Sequence, residues 1–205
     1  MNKHIQFLCL SVLIILLASE CSPITMAPEE QYVAASLKEH YPKLLNEAKT
    51  WQNDAHLTLV SIQIELNTHP RDFTFWINTF FNSPSKELEG VNISMSKAGV
   101  LTTETIPYKM PIPRYNIPIT EDDWVIDSPE ALNIFLQDND INHTINSIEK
   151  FCGTLDLGRL SFVEGQPVQP VVWILLIGEC GKVPSSKFYL NAKTGEIFDV
   201  SDLIP

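Results

Sequence analysis

Pro170-Val171-Val172-Trp173-Ile174-Leu175 and, after a polar break, Phe188-Tyr189-Leu190-Asn191-Ala192-Lys193-Thr194-Gly195-Glu196-Ile197 decide the fold. The first stretch is a short apolar run, rich in β-branched residues and opened by proline, which is the pattern of a strand. The second is a strand, a turn at Lys193-Thr194-Gly195 and a further strand. A related pair occurs earlier, where Phe73-Thr74-Phe75-Trp76-Ile77 precedes Val91-Asn92-Ile93-Ser94-Met95-Ser96-Lys97-Ala98-Gly99-Val100. In both places a Trp-bearing strand leads to a second strand that ends in a Lys- and Gly-containing turn. The Trp-to-Gly separations are nearly equal, 23 residues (99 minus 76) and 22 (195 minus 173). Recurrence on this scale marks an internal repeat. Trp76 and Trp173 are expected at matching places in two sheets, as core residues.

Each strand set follows a helical pattern. Pro28-Glu29-Glu30 suits a helix's first turn, and Tyr32, Ala35, Leu37, Tyr41, Leu44, Leu45 and Ala48 continue at helical spacing. Pro42 should kink or split that helix. Ser128-Pro129-Glu130-Ala131 reads as a hydroxyl cap, a proline at the first helical position and an acid. A second short helix is expected from about Asn142 to Phe151. Strands are expected at 56–65, 73–81, 91–95, 100–103, 154–163, 171–178, 187–191 and 196–200, with Gly165-Gln166-Pro167 closing a hairpin. Pro107, Pro111, Pro113 and Pro118 exclude a helix or central strand and indicate a surface linker. The expected fold class is α+β: two tandem units, 28–104 and 126–205, each a helix packed on an antiparallel meander, joined by a proline-rich linker at 105–125.

The second unit resembles the PepSY domain and its relatives. The resemblance rests on the helix headed by Ser128-Pro129-Glu130-Ala131-Leu132, the Trp173 strand, and the closing Asn191-Ala192-Lys193-Thr194-Gly195-Glu196, where that family usually has Asp at the place of Asn191. It covers residues 126–200 well. Residues 30–104 resemble it more weakly, since Ser96-Lys97-Ala98-Gly99-Val100 lacks the Thr and the Glu. The resemblance implies a cystatin-like helix-on-sheet fold and an extracytoplasmic domain, a kind found in propeptides of secreted metallopeptidases and proposed to inhibit them. It supplies no catalytic residue to carry over.

The N-terminus reads as an export signal over residues 1–20, with a basic start, an apolar run from Ile5 to Ala18 and a polar exit. This stretch of 14 residues (5 to 18), apolar but for Gln6 and Ser11, is shorter than the roughly 20 a spanning helix needs. Leu17-Ala18-Ser19-Glu20-Cys21 resembles the lipobox of bacterial lipoproteins, with Glu20 departing from the small residue expected before the cysteine. Lipidation of Cys21 would hold the domain at a membrane face, while conventional cleavage would release it. The net charge is −11 with or without residues 1–20, because that segment holds one Lys and one Glu. Such a charge argues against nucleic acid and against an anionic lipid surface as partners. The only expected membrane link is the N-terminal anchor.

Beyond the signal region the cysteines are Cys152 and Cys180. A hairpin turning at Gly165 would set residues summing to about 332 opposite each other (152 + 180), close enough for a disulfide in an exported protein. Asp138, Asp140, Asn142, Thr144, Asn146 and Glu149 fall at calcium-loop positions, but His143 stands where the loop's sharp turn needs Gly. The five histidines form no zinc pattern, and no phosphate loop or nucleophile elbow occurs, so no cofactor and no catalytic site are expected. The functional expectation is a non-enzymatic extracytoplasmic module that binds a protein or peptide through a sheet face, an open edge or the linker. The alternatives are an inhibitor or accessory of a secreted peptidase, and a carrier of a small apolar ligand. A carrier would show an apolar pocket near Trp76 or Trp173, and a binding module both Trp buried with an open edge or patch.

Overall fold

The computed structural model divides the chain into residues 1–30 and a compact unit, 31–205. It describes residues 31–66, 75–86, 88–107, 117–160 and 170–199, all within the compact unit. The signal segment, Cys21, the helix start at Pro28-Glu30 and the turn at Gly165 lie outside the described residues.

The fold is α+β: among the described residues there are three α-helices and one antiparallel sheet of nine strands. In chain order these are β1 (Tyr32–Val33), α1 (Leu37–Trp51), β2 (His56–Leu66), β3 (Ile77–Asn82), β4 (Glu89–Met95), β5 (Leu101–Pro107), α2 (Ser128–Gln137), α3 (Asn139–Asn146), β6 (Phe151–Arg159), β7 (Val171–Glu179), β8 (Ser186–Asn191) and β9 (Ile197–Phe198). The sheet runs β5-β4-β3-β2-β6-β7-β8-β9, with β1 paired to the end of β2.

Helix α1 starts later than its apolar spacing suggests, because Tyr32 and Val33 pair with Leu66 and Glu65 and Ser36 supplies the cap. The Ser36 hydroxyl accepts from the Glu39 N–H at 3.1 Å. Pro42 does not split the helix, which continues to Trp51 and buries Leu37, Tyr41, Leu44 and Ala48. In α2 the cap is Asp127 rather than Ser128; its carboxylate accepts from the Ser128 N–H at 2.8 Å. Ser128, freed from capping, is buried and donates to the Ala35 carbonyl at 2.5 Å. Helix α3 ends at Asn146, short of the expected Phe151, which instead opens β6.

Alternation along the strands separates two faces. Leu57, Val60, Ile62, Ile77, Phe81, Ile93, Leu155, Leu157, Trp173, Leu175 and Leu190 join Leu44, Ala131 and Phe135 of the helices in one core. Helix α1 lies against β2, β3 and β4, and α2 against β7 and β8.

Strand order reads alike from both ends of the sheet, about a central β2–β6 pair. Ser61 faces Asp156 there, and the flanking pairs Val60↔Leu157 and Ile62↔Leu155 exchange when 95 is added to the β2 numbers and subtracted from those of β6 (60 + 95 = 155, 157 − 95 = 62). The Ser61 hydroxyl donates to the Asp156 carboxylate at 2.7 Å. The two helix caps meet in the same way, the Ser36 hydroxyl donating to Asp127 at 2.6 Å.

Candidate functional site

The described residues place the sequence's candidate residues in structural roles first. Trp173 is fully buried, opposite Leu157 on one side and Leu190 on the other, and its Nε1 donates to the Ile126 carbonyl at 2.9 Å. Trp76 does not match it. The equivalent register position, opposite Ile62 and Met95, belongs to Ile77. Trp76 is squeezed in beside it: its N–H donates to the Met95 carbonyl at 2.7 Å although Ile77 is the partner of Met95. Trp76 therefore lies just ahead of β3, one residue before the position that matches Trp173. Trp76 is half-buried beside the His40 ring, and its Nε1 has no hydrogen-bond partner among the described residues.

Both Lys- and Gly-containing turns are hairpin tips, between β4 and β5 and between β8 and β9. Gly99 and Gly195 have φ of 75° and 76°, a region that glycine enters without steric cost. The Asn191 carbonyl side chain accepts from the N–H groups of Lys193 and Thr194 at 2.9 and 3.1 Å, so the motif's first residue organises its own turn. Lys193 and Thr194 are exposed. Lys97 in the other turn is ion-paired to the buried carboxylate of Glu65.

Cys152 and Cys180 are joined, with S–S 2.12 Å and Cα–Cα 4.9 Å. The register differs from expectation: β6–β7 pairs sum to 330, so Gly178 opposes Cys152, and Cys180 reaches it from the turn beyond β7. The calcium-like positions are not a loop. Asp138 caps α3, accepting from the N–H groups of Asp140 and Ile141 at 3.0 Å each, while Asp140, Asn142, Thr144 and Asn146 lie along the helix itself. A helical backbone spreads these side chains around its axis instead of wrapping them about an ion. Among the described residues no His, Cys, Asp and Glu group of three or more is placed to hold a metal.

The described part of the linker is pinned down. Ile119 bridges to Leu57, and Trp124 is buried edge-on to Tyr41, ring centroids 5.7 Å apart. Arg159 donates to the Pro118 carbonyl at 2.6 Å and pairs with Asp123 at 2.9 Å. Burial pushes the Tyr41 hydroxyl up to about 12, with the charge of Glu121 adding to it.

Two surfaces remain that could meet a partner. One is the sheet face away from the helices. A single row crosses it through paired residues: Thr102, Ser94, Asn78, Ser61, Asp156, Ile174, Tyr189 and Phe198. Five of the eight, Thr102 to Asp156, are short and polar, and the other three are Ile174, Tyr189 and Phe198, the last two stacked at 6.1 Å. Burial pushes the Asp156 carboxyl above its ordinary range, and hydrogen bonds from Ser61 and Thr154 draw it part of the way back. The folded state therefore favours the protonated acid. Its contribution is present at low pH and is lost as pH rises from the unfolded value of 3.8 through the higher folded one. Asp156→Asn is accordingly expected to raise the urea midpoint at pH 7 and leave it unchanged near pH 3. Equal effects at both pH values would show that no protonation difference is involved.

The second surface is the outer edge of β5. Thr102, Thr103, Glu104 and Thr105 are exposed, and among the described residues no strand pairs with this edge. The Ser96 N–H donates to the Val100 carbonyl at 3.0 Å, making that a hydrogen-bonded pair. Antiparallel alternation then turns the N–H and C=O groups of Leu101, Thr103 and Thr105 away from β4. Sequence reasoning ended this strand at Thr103; the turn residues signalled the hairpin, but nothing signalled its length.

Two clefts among the described residues are small. One, of about 160 Å³, lies between β1 and the start of α2, by Tyr32 and Leu132. The other, of about 110 Å³, lies on the open sheet face beside Cys152, Thr154 and Leu176. Neither is lined by Trp76 or Trp173. No described helix is long and apolar enough to cross a membrane. Comparison of the chain with family models, curated proteins and solved structures gives no match.

Proposed function

We propose that this chain is an extracytoplasmic, non-enzymatic interaction module that binds a protein or peptide. The observation that carries the reading is the outer edge of β5, a row of outward N–H and C=O groups with no strand paired to it among the described residues. The disulfide and the signal-like N-terminus favour an oxidising, exported setting. The mirrored strand order, with a helix against each half, favours two PepSY-like units built on one plan. In that reading the second unit keeps the fuller turn motif, and the first has drifted, with Trp76 one residue before the position that matches Trp173. The two clefts among the described residues lend the carrier alternative no support, since both fall below the ~300 Å³ at which ligand pockets begin.

The test is crosslinking in the cells that make the protein. A photo-crosslinking side chain at Thr105 should capture a discrete partner. The same experiment with Thr103→Pro, which removes an outward N–H without breaking a bond to β4, should lose that product. Identical products with and without the proline would remove the edge from consideration. Crosslinks to a peptidase would favour the inhibitor alternative.

A further inference from the structure

Open edges in folded proteins are normally protected by lysine, by an internal proline, by a bulge or by a covering segment. Strand β5 has no lysine, no internal proline and no bulge, and its one charge is the exposed Glu104. Its sequence, Leu101-Thr102-Thr103-Glu104-Thr105-Ile106-Pro107, holds no Lys or Arg, and its only proline is the last residue. The register with β4 runs unbroken from Met95↔Leu101 to Glu89↔Pro107. Its exposed middle is three threonines and a glutamate, residues that a flat, solvated, pairable strand can carry without an apolar patch.

The charge beside this edge is of one sign on both faces. Glu104 pairs with Asn92, which places it on the face away from the helices. On the helix side, Glu47 of α1 accepts a hydrogen bond from the Thr103 hydroxyl at 2.8 Å. Neither carboxylate has an ion-pair partner among the described residues. Lys43 of α1 is turned to the Gly99 carbonyl at 2.7 Å, at the hairpin tip. A strand laid along β5 would run about 4.8 Å from it, and its side chains would alternate between the same two faces. Two neighbouring residues of that strand would then lie across from Glu104 and from the Thr103–Glu47 pair. Opposite charges directly across an antiparallel pair stabilise it, and like charges destabilise it.

We propose that β5 takes an extended peptide segment with two consecutive basic residues, added as a tenth strand, the basic pair facing Glu104 on one side and Glu47 on the other. The proposal rests on the interaction-module reading and adds the partner's chemistry to it. A second copy of this chain is the competing occupant. It would bring Glu104 and a net charge of −11 against their like, so the charge opposes it.

The test uses the whole chain, isotope-labelled, and two synthetic capped peptides, Thr-Val-Lys-Lys-Val-Thr and Thr-Val-Glu-Glu-Val-Thr, each at millimolar concentration. The basic peptide should slow amide exchange at Thr103 and Thr105 about tenfold, and the acidic peptide should not. Thr103→Pro should abolish the protection of Thr105. Glu104→Lys should reverse the preference between the two peptides, and 0.5 M salt should weaken it, because exposed charges are screened within a few ångströms there. Equal protection by both peptides would overturn the charge preference while leaving a strand-binding edge. No protection by either peptide, or protection that depends on protein concentration alone and accompanies dimer formation in sedimentation, would overturn the proposal. In that case the crosslinking test of the module reading still stands separately.

Discussion

Replacing Trp173 with alanine is expected to destabilise the chain by about 5 kcal/mol, enough to unfold a domain of ordinary stability. Trp173 is at 0 % exposure in the middle of β7. Its ring fills the space between β6, β8 and the segment ahead of α2, so deletion leaves a large cavity that a sheet cannot collapse around. The change also strips the Ile126 carbonyl of its donor, a loss of roughly 1–3 kcal/mol for a buried group. Trp173→Phe separates the two effects: it keeps most of the packing and should cost about 2 kcal/mol. Trp76→Ala is the internal comparison. Trp76 is only half-buried and its indole N–H has no partner among the described residues, so a cost nearer 1–2 kcal/mol is expected. Urea midpoints of the three variants check this. If the two alanine variants fall by equal amounts, the assignment of Ile77 to the Trp173 position is wrong.

Removing the Cys152–Cys180 bridge by a double change to alanine is expected to cost about 3–4 kcal/mol, from the chain entropy of a loop whose ends are 28 residues apart. The corresponding fall in melting temperature is about 10 °C. Cys180 lies in a tight turn, its N–H donating to the Lys150 carbonyl at 2.9 Å, so the bridge fixes both the start of β6 and the turn beyond β7. The open face beside the smaller cleft should loosen with it, visible as faster amide exchange in residues 179–185. Alkylation of unreduced protein followed by mass spectrometry gives the direct check: two labelled thiols would mean there is no bridge to remove.

Much of the fold was legible because it rests on local chemistry. The alternation over His56–Leu66 and the apolar run at Val171–Glu179 became strands, and Gly99 and Gly195 closed turns. The α+β class and the cysteine pair were legible for the same reason. Where reading by residue went astray, the deciding partner was distant in the chain. Ser128 carries every mark of a cap, yet Asp127 caps α2 while Ser128 binds Ala35, 93 residues away. Trp76 carries the mark of the repeat, but the pairing of Ile77 with Met95 leaves it one residue short of the matching position. The cysteines were joined through a register two residues off the expected one, since the disulfide reaches diagonally. The candidate site was the least legible part. An open edge is defined by which strand ends up outermost, and no residue of β5 announces that position.

The β2–β6 pair has a consequence for the order in which the chain assembles. Among the described residues it is the one pair of non-consecutive strands; the others, apart from β1–β2 with its intervening helix, are hairpins that close short loops. The central pair joins Ser61 to Asp156, 95 residues apart, and the helix caps Ser36 and Asp127 are 91 apart. Closing loops of that length costs about 4 kcal/mol of chain entropy that no neighbouring contact offsets beforehand. The seam is therefore expected to be the slow part of assembly, because contacts of high sequence separation form slowly. Ser61, Asp156, Ser36 and Asp127 are consequently residues whose substitution should alter how fast the two halves dock more than how each half forms.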